Sequence, residues 1–212
     1  MTQTTETPED ADALPLAAAR VAAVEGGAVP AGIDLLPRQV LLGDIDMRID
    51  RRGVWHYRGS AIKRQALVRL FARVLRRDAA GDYWLITPAE VARLVVEDTP
   101  FQAVAMRITG SGPDQDIIFR TDLDHNVTLS PARPLRVETA ADGAPRPLLV
   151  VADDGTEARL TRQVFYDLVD LGVIARRGHG EVFGVYGGGA FFPLADAADA
   201  ALMRDIREGL EA

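Results

Sequence analysis

The sequence predicts an α+β protein in which short strands outnumber helices. Runs of four to nine residues with apolar and polar residues in alternation recur along the chain, separated by clusters of Gly, Pro, Asp and Asn. Two further segments repeat their apolar residues with the 3.6-residue period of an amphipathic helix. Of the 212 residues, 48% are hydrophobic and 26% are charged, which is typical of a folded chain rather than a disordered one.

Residues 1–36 are predicted to form a flexible tail. Thr2–Asp12 is polar and acidic and offers little surface to bury. Leu14–Glu25 is rich in alanine and favours a short helix that ends at Gly26. A connector spaced by proline and glycine, Ala28–Pro37, then leads to the folded part of the chain.

Residues 37–98 are predicted to form an N-terminal α+β domain. Asp44–Asp50 alternates polar and apolar residues, and Val54–Tyr57 follows after a turn, so a hairpin is expected. Ser60 supplies a hydroxyl that suits a helix N-cap, and the apolar period behind it predicts a helix as far as Arg77.

The end of this domain contains one ambiguous segment. Tyr83–Ile86 is strand-like. Thr87–Glu90 matches a capping box with proline at the first helical position, while Leu94-Val95-Val96 behind it is typical of a strand. We therefore expect one helical turn followed by a strand to Glu97.

Residues 99–212 are predicted to form a C-terminal domain that is rich in strands. A helix is expected from Thr161 to about Leu171, a hairpin around the glycine triplet 187–189, and a final helix capped by Asp196 or Asp199. The other predicted strands are Phe101–Thr109, Asp116–Thr121, Val127–Leu129, Leu135–Thr139, Leu148–Ala152 and Glu157–Leu160.

The order hairpin, helix, hairpin occurs twice, which indicates a duplicated unit. The two helices align so that Arg64 and Arg162 have the same helical phase, inside the apolar arc. A guanidinium that faces packed protein needs a carboxylate, backbone carbonyls or an anionic ligand. The sequence leaves two alternatives open: an internal ion pair, with Glu97 or Asp98 as partner, and an anion-binding cleft.

Composition and motifs exclude several classes of function. The 24 basic residues against 31 acidic ones give a net charge of -7, which disfavours nucleic acid and anionic membranes as partners. No apolar run is long enough to span a bilayer, and the acidic start and the lack of cysteine predict a cytoplasmic protein. No catalytic motif, phosphate loop or dinucleotide fingerprint is present, and the three histidines lack metal-ligand spacing, so we predict no catalytic residue, metal or cofactor.

Several uncommon strings resemble a bacterial family known as domain of unknown function 1285. They include Gly43–Ile49, Thr87–Glu90, Val96–Asp98 and Gly188–Leu194, in this order. The resemblance implies a duplicated α+β core, a C-terminal half similar to pleckstrin-homology folds, and a pocket between the halves for a nucleotide-type ligand with a role in signalling. Arg64, Glu97 and Asp98 would line such a pocket, and Phe101 would offer a stacking surface.

These features of the sequence are compatible with three functions. The first is a non-enzymatic ligand-sensing protein that holds a small anionic, nucleotide-like molecule through Arg64 and Arg162. The second is a protein–protein interaction module without a small ligand, whose partner the sequence does not name. The third is a hydrolase built on Glu97 and Asp98, if their proximity raises the pKa of one carboxyl group. We rank the third last, because neighbouring residues of a strand point to opposite faces.

Overall fold

The computed structural model describes residues 29–177 and 180–196, and these form fifteen strands, two α-helices and one short 3-10 turn. About half of the described residues lie in strands, which confirms the α+β class. The described residues divide into two compact units: the first holds those up to Asp50 together with Val54–Glu97, and the second holds Arg51–Gly53 and those from Asp98 onward. Among the described residues, no helix combines the length and the apolar character needed to cross a membrane.

The first unit is a six-stranded mixed sheet with one helix. Its strands are β1 (Val40–Ile49), β2 (Trp55–Tyr57), β3 (Ser60–Ala61), β4 (Leu75–Arg77), β5 (Tyr83–Ile86) and β6 (Glu90–Val96). Strand β1 pairs antiparallel with β2 and parallel with β6, and the strand order is β3-β2-β1-β6-β5-β4. Helix α1 (Gln65–Val74) buries Val68, Phe71 and Ala72, and the Phe71 ring stacks on Trp55 at 6.1 Å between centroids.

Helix α1 is shorter than the sequence predicts. Ser60 pairs with Tyr57 between β2 and β3, and Leu75 pairs with Leu85 between β4 and β5. Both ends of the predicted helix are therefore strands, because sheet pairing overrides a helical apolar period that continues past the helix.

The helical turn predicted at Thr87–Glu90 is wrong. The Thr87 hydroxyl accepts hydrogen bonds from the N–H groups of Ala89 at 3.3 Å and Glu90 at 2.9 Å, and it donates to the Glu90 carbonyl at 3.0 Å. The same side-chain chemistry that caps a helix here closes a tight turn between β5 and β6.

The second unit contains a second six-stranded sheet. Its strands are β7 (Phe101–Thr109), β8 (Asp116–Thr121), β9 (Asn126–Thr128), β10 (Leu135–Thr139), β11 (Pro145–Val150) and β12 (Glu157–Leu160). The strand order is β10-β11-β12-β7-β8-β9, and β12 pairs parallel with β7. The predicted bounds of β7, β8, β10 and β12 are confirmed. Helix α2 (Arg162–Val169) follows β12 directly and buries Val164, Phe165, Leu168 and Val169.

A three-stranded antiparallel sheet completes the described part of the second unit. It consists of β13 (Val173–Arg177), which the sequence did not predict, β14 (Gly180–Gly187) and β15 (Ala190–Asp196). Gly188 joins β14 to β15 with φ +54°, and a Cβ atom there would overlap the backbone oxygen of Leu129. The protein's own backbone therefore accounts for this glycine of the triplet.

The order hairpin, helix, hairpin recurs in both units, as β1-β2, α1, β4-β5 and as β11-β12, α2, β13-β14. The pairing differs, since β4 and β5 join the sheet of β1 whereas β13 and β14 form a separate sheet. The helices predicted at Leu14–Glu25 and beyond Asp196, as well as His179, lie outside the described residues.

Candidate functional site

The second unit contains a groove of about 640 Å³, within the range of small-molecule sites, roughly 300 to 1,000 Å³. Three arginines line it, and no carboxylate does so among the described residues. We call it the arginine groove; its lining is Arg51, Gln102, Ala144, Pro145, Pro147, Arg159, Leu160, Thr161, Arg162, Phe165 and Tyr166.

The point where β12 ends and α2 begins positions most of these side chains. Arg159 lies on β12 opposite Gln102 of β7, and the Thr161 N–H donates to the Ala103 carbonyl at 3.0 Å, which fixes the end of the strand. The Gln102 side chain in turn donates to the backbone oxygen of Arg51 at 3.2 Å. The parallel pairing of β7 and β12 thus brings residues distant in sequence to one groove.

Arg162 lines the groove, but the predicted inward orientation is wrong because its side chain is exposed. It is the first residue of α2 and interacts with Tyr166 one turn later. Its Nε donates to the Tyr166 hydroxyl at 2.7 Å, and its guanidinium lies 5.2 Å from the centre of the Tyr166 ring. The i,i+4 spacing of a helix brings this pair together.

Asp98 holds Arg159 and Arg146 together beside the groove. Its side chain is only 9% exposed, and it accepts hydrogen bonds from Arg159 Nη1 at 3.0 Å and from Arg146 Nε at 2.9 Å, with a further contact to Arg146 Nη2. Burial raises the pKa of Asp98, but the hydrogen bonds and charges of the two arginines outweigh it, so the pKa lies below its ordinary value.

This ion pair extends into a chain of alternating charges. Arg146 also contacts Glu138 at 2.6 Å, Glu138 contacts Arg136 at 2.9 Å, and Arg136 forms a two-pronged pair with Glu157. The hydrogen bond from Arg136 is the main cause that lowers the pKa of Glu138, with a further contribution from Arg146. Asp98 is therefore part of an ion-pair network. A hydrolase built on this carboxyl group would need a raised pKa, and for Asp98 that prediction is wrong because its pKa is lowered.

The lowered pKa of Asp98 predicts that the protein loses stability in acid. Because the pKa is lower in the folded than in the unfolded state, the ionised group contributes stability above the unfolded value of about 3.9. That contribution disappears as the pH falls through the folded-state pKa. Urea unfolding at a series of pH values from 7 to 3 should show a smaller loss of stability below about pH 4 for Asp98→Asn than for the parent; equal losses would contradict this.

The other predicted site residues lie elsewhere. Arg64 is exposed and precedes α1 in the first unit, so its predicted inward orientation is wrong as well. Glu97 pairs with Arg48 at 2.6 Å, with both side chains at least one-third exposed. Phe101 is 4% exposed and its ring contacts His125 at 5.6 Å, so it is a core side chain rather than an open stacking surface. None of the three lines the arginine groove.

The sequence reasoning missed Arg51, Arg159 and Tyr166. Tyr166 carried a signal, because its i,i+4 spacing from Arg162 predicts that the two side chains meet on a helix. Arg51 and Arg159 carried none, because only the sheet topology brings the 51–53 turn and β12 to the same groove.

The first unit has a smaller cavity of about 190 Å³. Among its lining residues, Arg48 is paired with Glu97, and Arg93 with Asp82 at 2.7 Å. His56, also in the lining, has its Nε2 3.1 Å from a carboxylate oxygen of the buried Asp50. Within the described ranges, no group of three acidic or histidine side chains is placed to hold a metal ion.

This chain is a two-unit, strand-rich α+β protein whose second unit carries an arginine-lined groove. Residues 37–99 match the family model described as "Domain of unknown function (DUF1285), N-terminal domain", and residues 100–194 match "Protein of unknown function (DUF1285), C-terminal domain". The chain belongs to the DUF1285 family.

A solved structure that is 36% identical agrees with this assignment. A DUF1285 family protein from Silicibacter pomeroyi DSS-3 is 36% identical, with a TM-score of 0.73 over 88% of this chain and 97% of that one. A DUF1285 family protein from Shewanella baltica OS155 is 23% identical, with a TM-score of 0.47 over 59% of this chain and 91% of that one. A search of curated proteins gave no match.

Proposed function

We propose that this protein is a non-enzymatic ligand sensor that binds a small anionic molecule of nucleotide type in the arginine groove. The observation that carries the proposal is the charge of the groove: three arginines line it, with no carboxylate among the described lining residues. In a protein with a net charge of -7, such a local excess of positive charge favours an anion over a neutral ligand.

Asp98 supports the proposal by restraining one of the three arginines. It fixes Nη1 of Arg159 at 3.0 Å. A guanidinium has five N–H donors in a rigid plane, so one edge can be anchored while another binds two oxygens of a phosphate or carboxylate. An arginine restrained in this way loses less conformational entropy when a ligand binds.

The beginning of α2 adds donors on the same side of the groove. The N–H groups of a first helical turn have no acceptor within the helix, and the Thr161 side chain does not cap them. Helix N-termini favour negative charge for this reason. Thr161 and Arg162 both line the groove, so an anion there would meet backbone and side-chain donors together.

A flat ring on the ligand is favoured by the apolar part of the lining. Tyr166 is half-buried, with Phe165 and Pro147 beside it in the lining. Tyr166 would thus take the stacking role that the sequence suggested for Phe101. The Arg162 guanidinium would exchange its contact with Tyr166 for a contact with the ligand. Ordering of these side chains on binding would report occupancy, which is the basis of the proposed signalling role.

Thermal unfolding in the presence of pyrophosphate and of nucleoside mono-, di- and triphosphates tests this proposal. A ligand at 100 times its Kd stabilises the folded state by about 2.7 kcal/mol. We expect at least one of these anions to raise Tm, and Arg162→Gln to abolish most of that rise because it removes a groove cation.

Arg107→Gln is the matched control. Arg107 is an exposed arginine of β7 in the same unit and does not line the groove, so the control removes the same charge elsewhere. A flat response of the parent chain to every anion, or an equal loss of response in both variants, would overturn the proposal.

A further inference from the structure

We propose that the exposed face of α1 is a docking surface for a short acidic segment of a partner protein that also carries apolar residues. Four exposed residues form this face, which we call the basic face: Ala66, Arg69, Leu70 and Arg73. Their spacing of three, four and seven residues places them on one side of the helix, opposite the buried residues Val68, Phe71 and Ala72.

The charge around this face is segregated. From Ser60 to Arg77 the chain has six basic residues and no acidic one, although acidic residues outnumber basic ones in the whole protein. The six are Lys63, Arg64, Arg69, Arg73, Arg76 and Arg77. This excess is complementary to an acidic partner, not to a second copy of the same basic face.

The charges around the basic face act on the helix in opposite directions, since Arg73 lies in the last turn, where the helix dipole favours a positive charge. Arg69 and Arg73 are like charges at i,i+4, an arrangement that costs roughly 0.2 to 0.5 kcal/mol. Lys63 and Arg64 place positive charge just before the helix N-terminus, where the helix dipole favours negative charge. Two of these three effects oppose the helix, so helix stability alone does not explain the run of positive charge.

Leu70 supplies the apolar contact of the surface. It is 46% exposed and lies at one edge of the basic face, next to Arg73 at i,i+3. Arginines around an apolar contact are typical of protein interfaces, where arginine often contributes strongly to binding. A partner with a leucine or phenylalanine flanked by glutamates or aspartates would cover Leu70 and pair with both arginines.

The size of the basic face favours a short peptide segment over an extended polyanion. From Ala66 to Arg73 the helix rises by about 10 Å. Nucleic acids and membranes are bound by positive charge spread over a larger area, and the net charge of -7 opposes both.

The test measures fluorescence anisotropy of a labelled peptide of about twelve residues, roughly three helical turns, with leucine at i and i+4 and glutamate around them, titrated with the full chain. We expect saturable binding that weakens as salt rises. The double substitution Arg69→Glu with Arg73→Glu should weaken it by at least about tenfold, and Leu70→Ser by about threefold. Arg107→Glu, which reverses an exposed charge in the second unit, should leave it unchanged.

A second measurement separates loss of the surface from loss of the fold. The double variant exchanges one like-charge pair for another at exposed positions, so it should keep its helical signal and unfold within a few degrees of the parent, as is usual for surface substitutions. The proposal is overturned if the peptide does not bind, if the double variant binds as the parent does, or if duplex DNA or phosphatidylserine vesicles bind the basic face more tightly than the peptide.

Discussion

Replacing Asp98 by alanine is expected to lower the free energy of unfolding by about 3 kcal/mol, at the lower end of the cost of breaking a buried ion pair. The Asp98 side chain is 9% exposed, and it is the carboxylate partner of Arg159 and a shared partner of Arg146. Its removal leaves the partly buried guanidinium groups of Arg146 and Arg159 without the negative charge that they share. Arg146 keeps Glu138, and Arg159 is 35% exposed, so water reduces the loss below that of a fully buried pair.

Asp98→Asn is the more informative variant for stability, since it keeps an acceptor oxygen and the side-chain volume while it removes the charge. We expect its free energy of unfolding, measured with urea, to fall between those of the parent and Asp98→Ala. Asp116→Ala, at an exposed position of β8, is the control; an equal loss of stability in the control would contradict the role given to Asp98.

Asp78→Ala is expected to destabilise the first unit by about 3 kcal/mol or more, since each buried donor left without an acceptor costs roughly 1 to 3 kcal/mol. One carboxylate oxygen accepts from Trp84 Nε1 at 2.9 Å and from the Ala31 N–H at 3.0 Å. The other accepts from the N–H groups of Ala80 at 3.0 Å and Asp82 at 2.9 Å. Trp84 is fully buried, so its indole N–H could not turn to water instead.

The pH dependence of this cluster has the same sign as that of Asp98. Burial raises the pKa of Asp78, and the hydrogen bonds from Ala31, Trp84, Asp82 and Ala80 lower it by more. Chemical unfolding followed by tryptophan fluorescence should therefore show a much lower free energy of unfolding for Asp78→Ala than for the parent at pH 7. The difference should become smaller toward pH 3, because the parent itself loses the ionised form of Asp78. If the free energies of unfolding of Asp78→Ala and the parent differ by less than about 0.5 kcal/mol, the usual effect of a surface substitution, the hydrogen-bond network assigned to Asp78 is contradicted.

Much of the strand pattern could be predicted from the sequence because its signals are local. β10 and β12 alternate apolar and polar residues, β7 and β8 contain short apolar runs, and each of the four has a Gly, Pro, Asp or Asn cluster close to at least one end. The end of α1 could not be located in this way, because Leu75 fits the helical period and also pairs with Leu85 in the sheet. β13 was missed because its sequence does not alternate apolar and polar residues. Val173 and Ile174 are both exposed, so neither face of this strand needs to be apolar.

The site was predicted only in part, for a different physical reason. A helical wheel gives the direction of a side chain but not whether protein lies in that direction. The sequence therefore identified Arg162 as a site residue but predicted wrongly that its side chain faces packed protein. The positions of Arg51 and Arg159 depend on the parallel pairing of β7 with β12, which no local spacing encodes. A pleckstrin-homology-like character of the C-terminal half stays a prediction.

Titration of the full chain with pyrophosphate, followed by the arginine Nε–Hε signals in an NMR spectrum, tests the central claim most directly. An anion in the arginine groove should shift the signals of Arg51, Arg159 and Arg162 along one saturable curve, with the signals of Arg73 and Arg107 unchanged. Shifts of similar size at all exposed arginines, or no saturable shift at the three groove arginines, would contradict it.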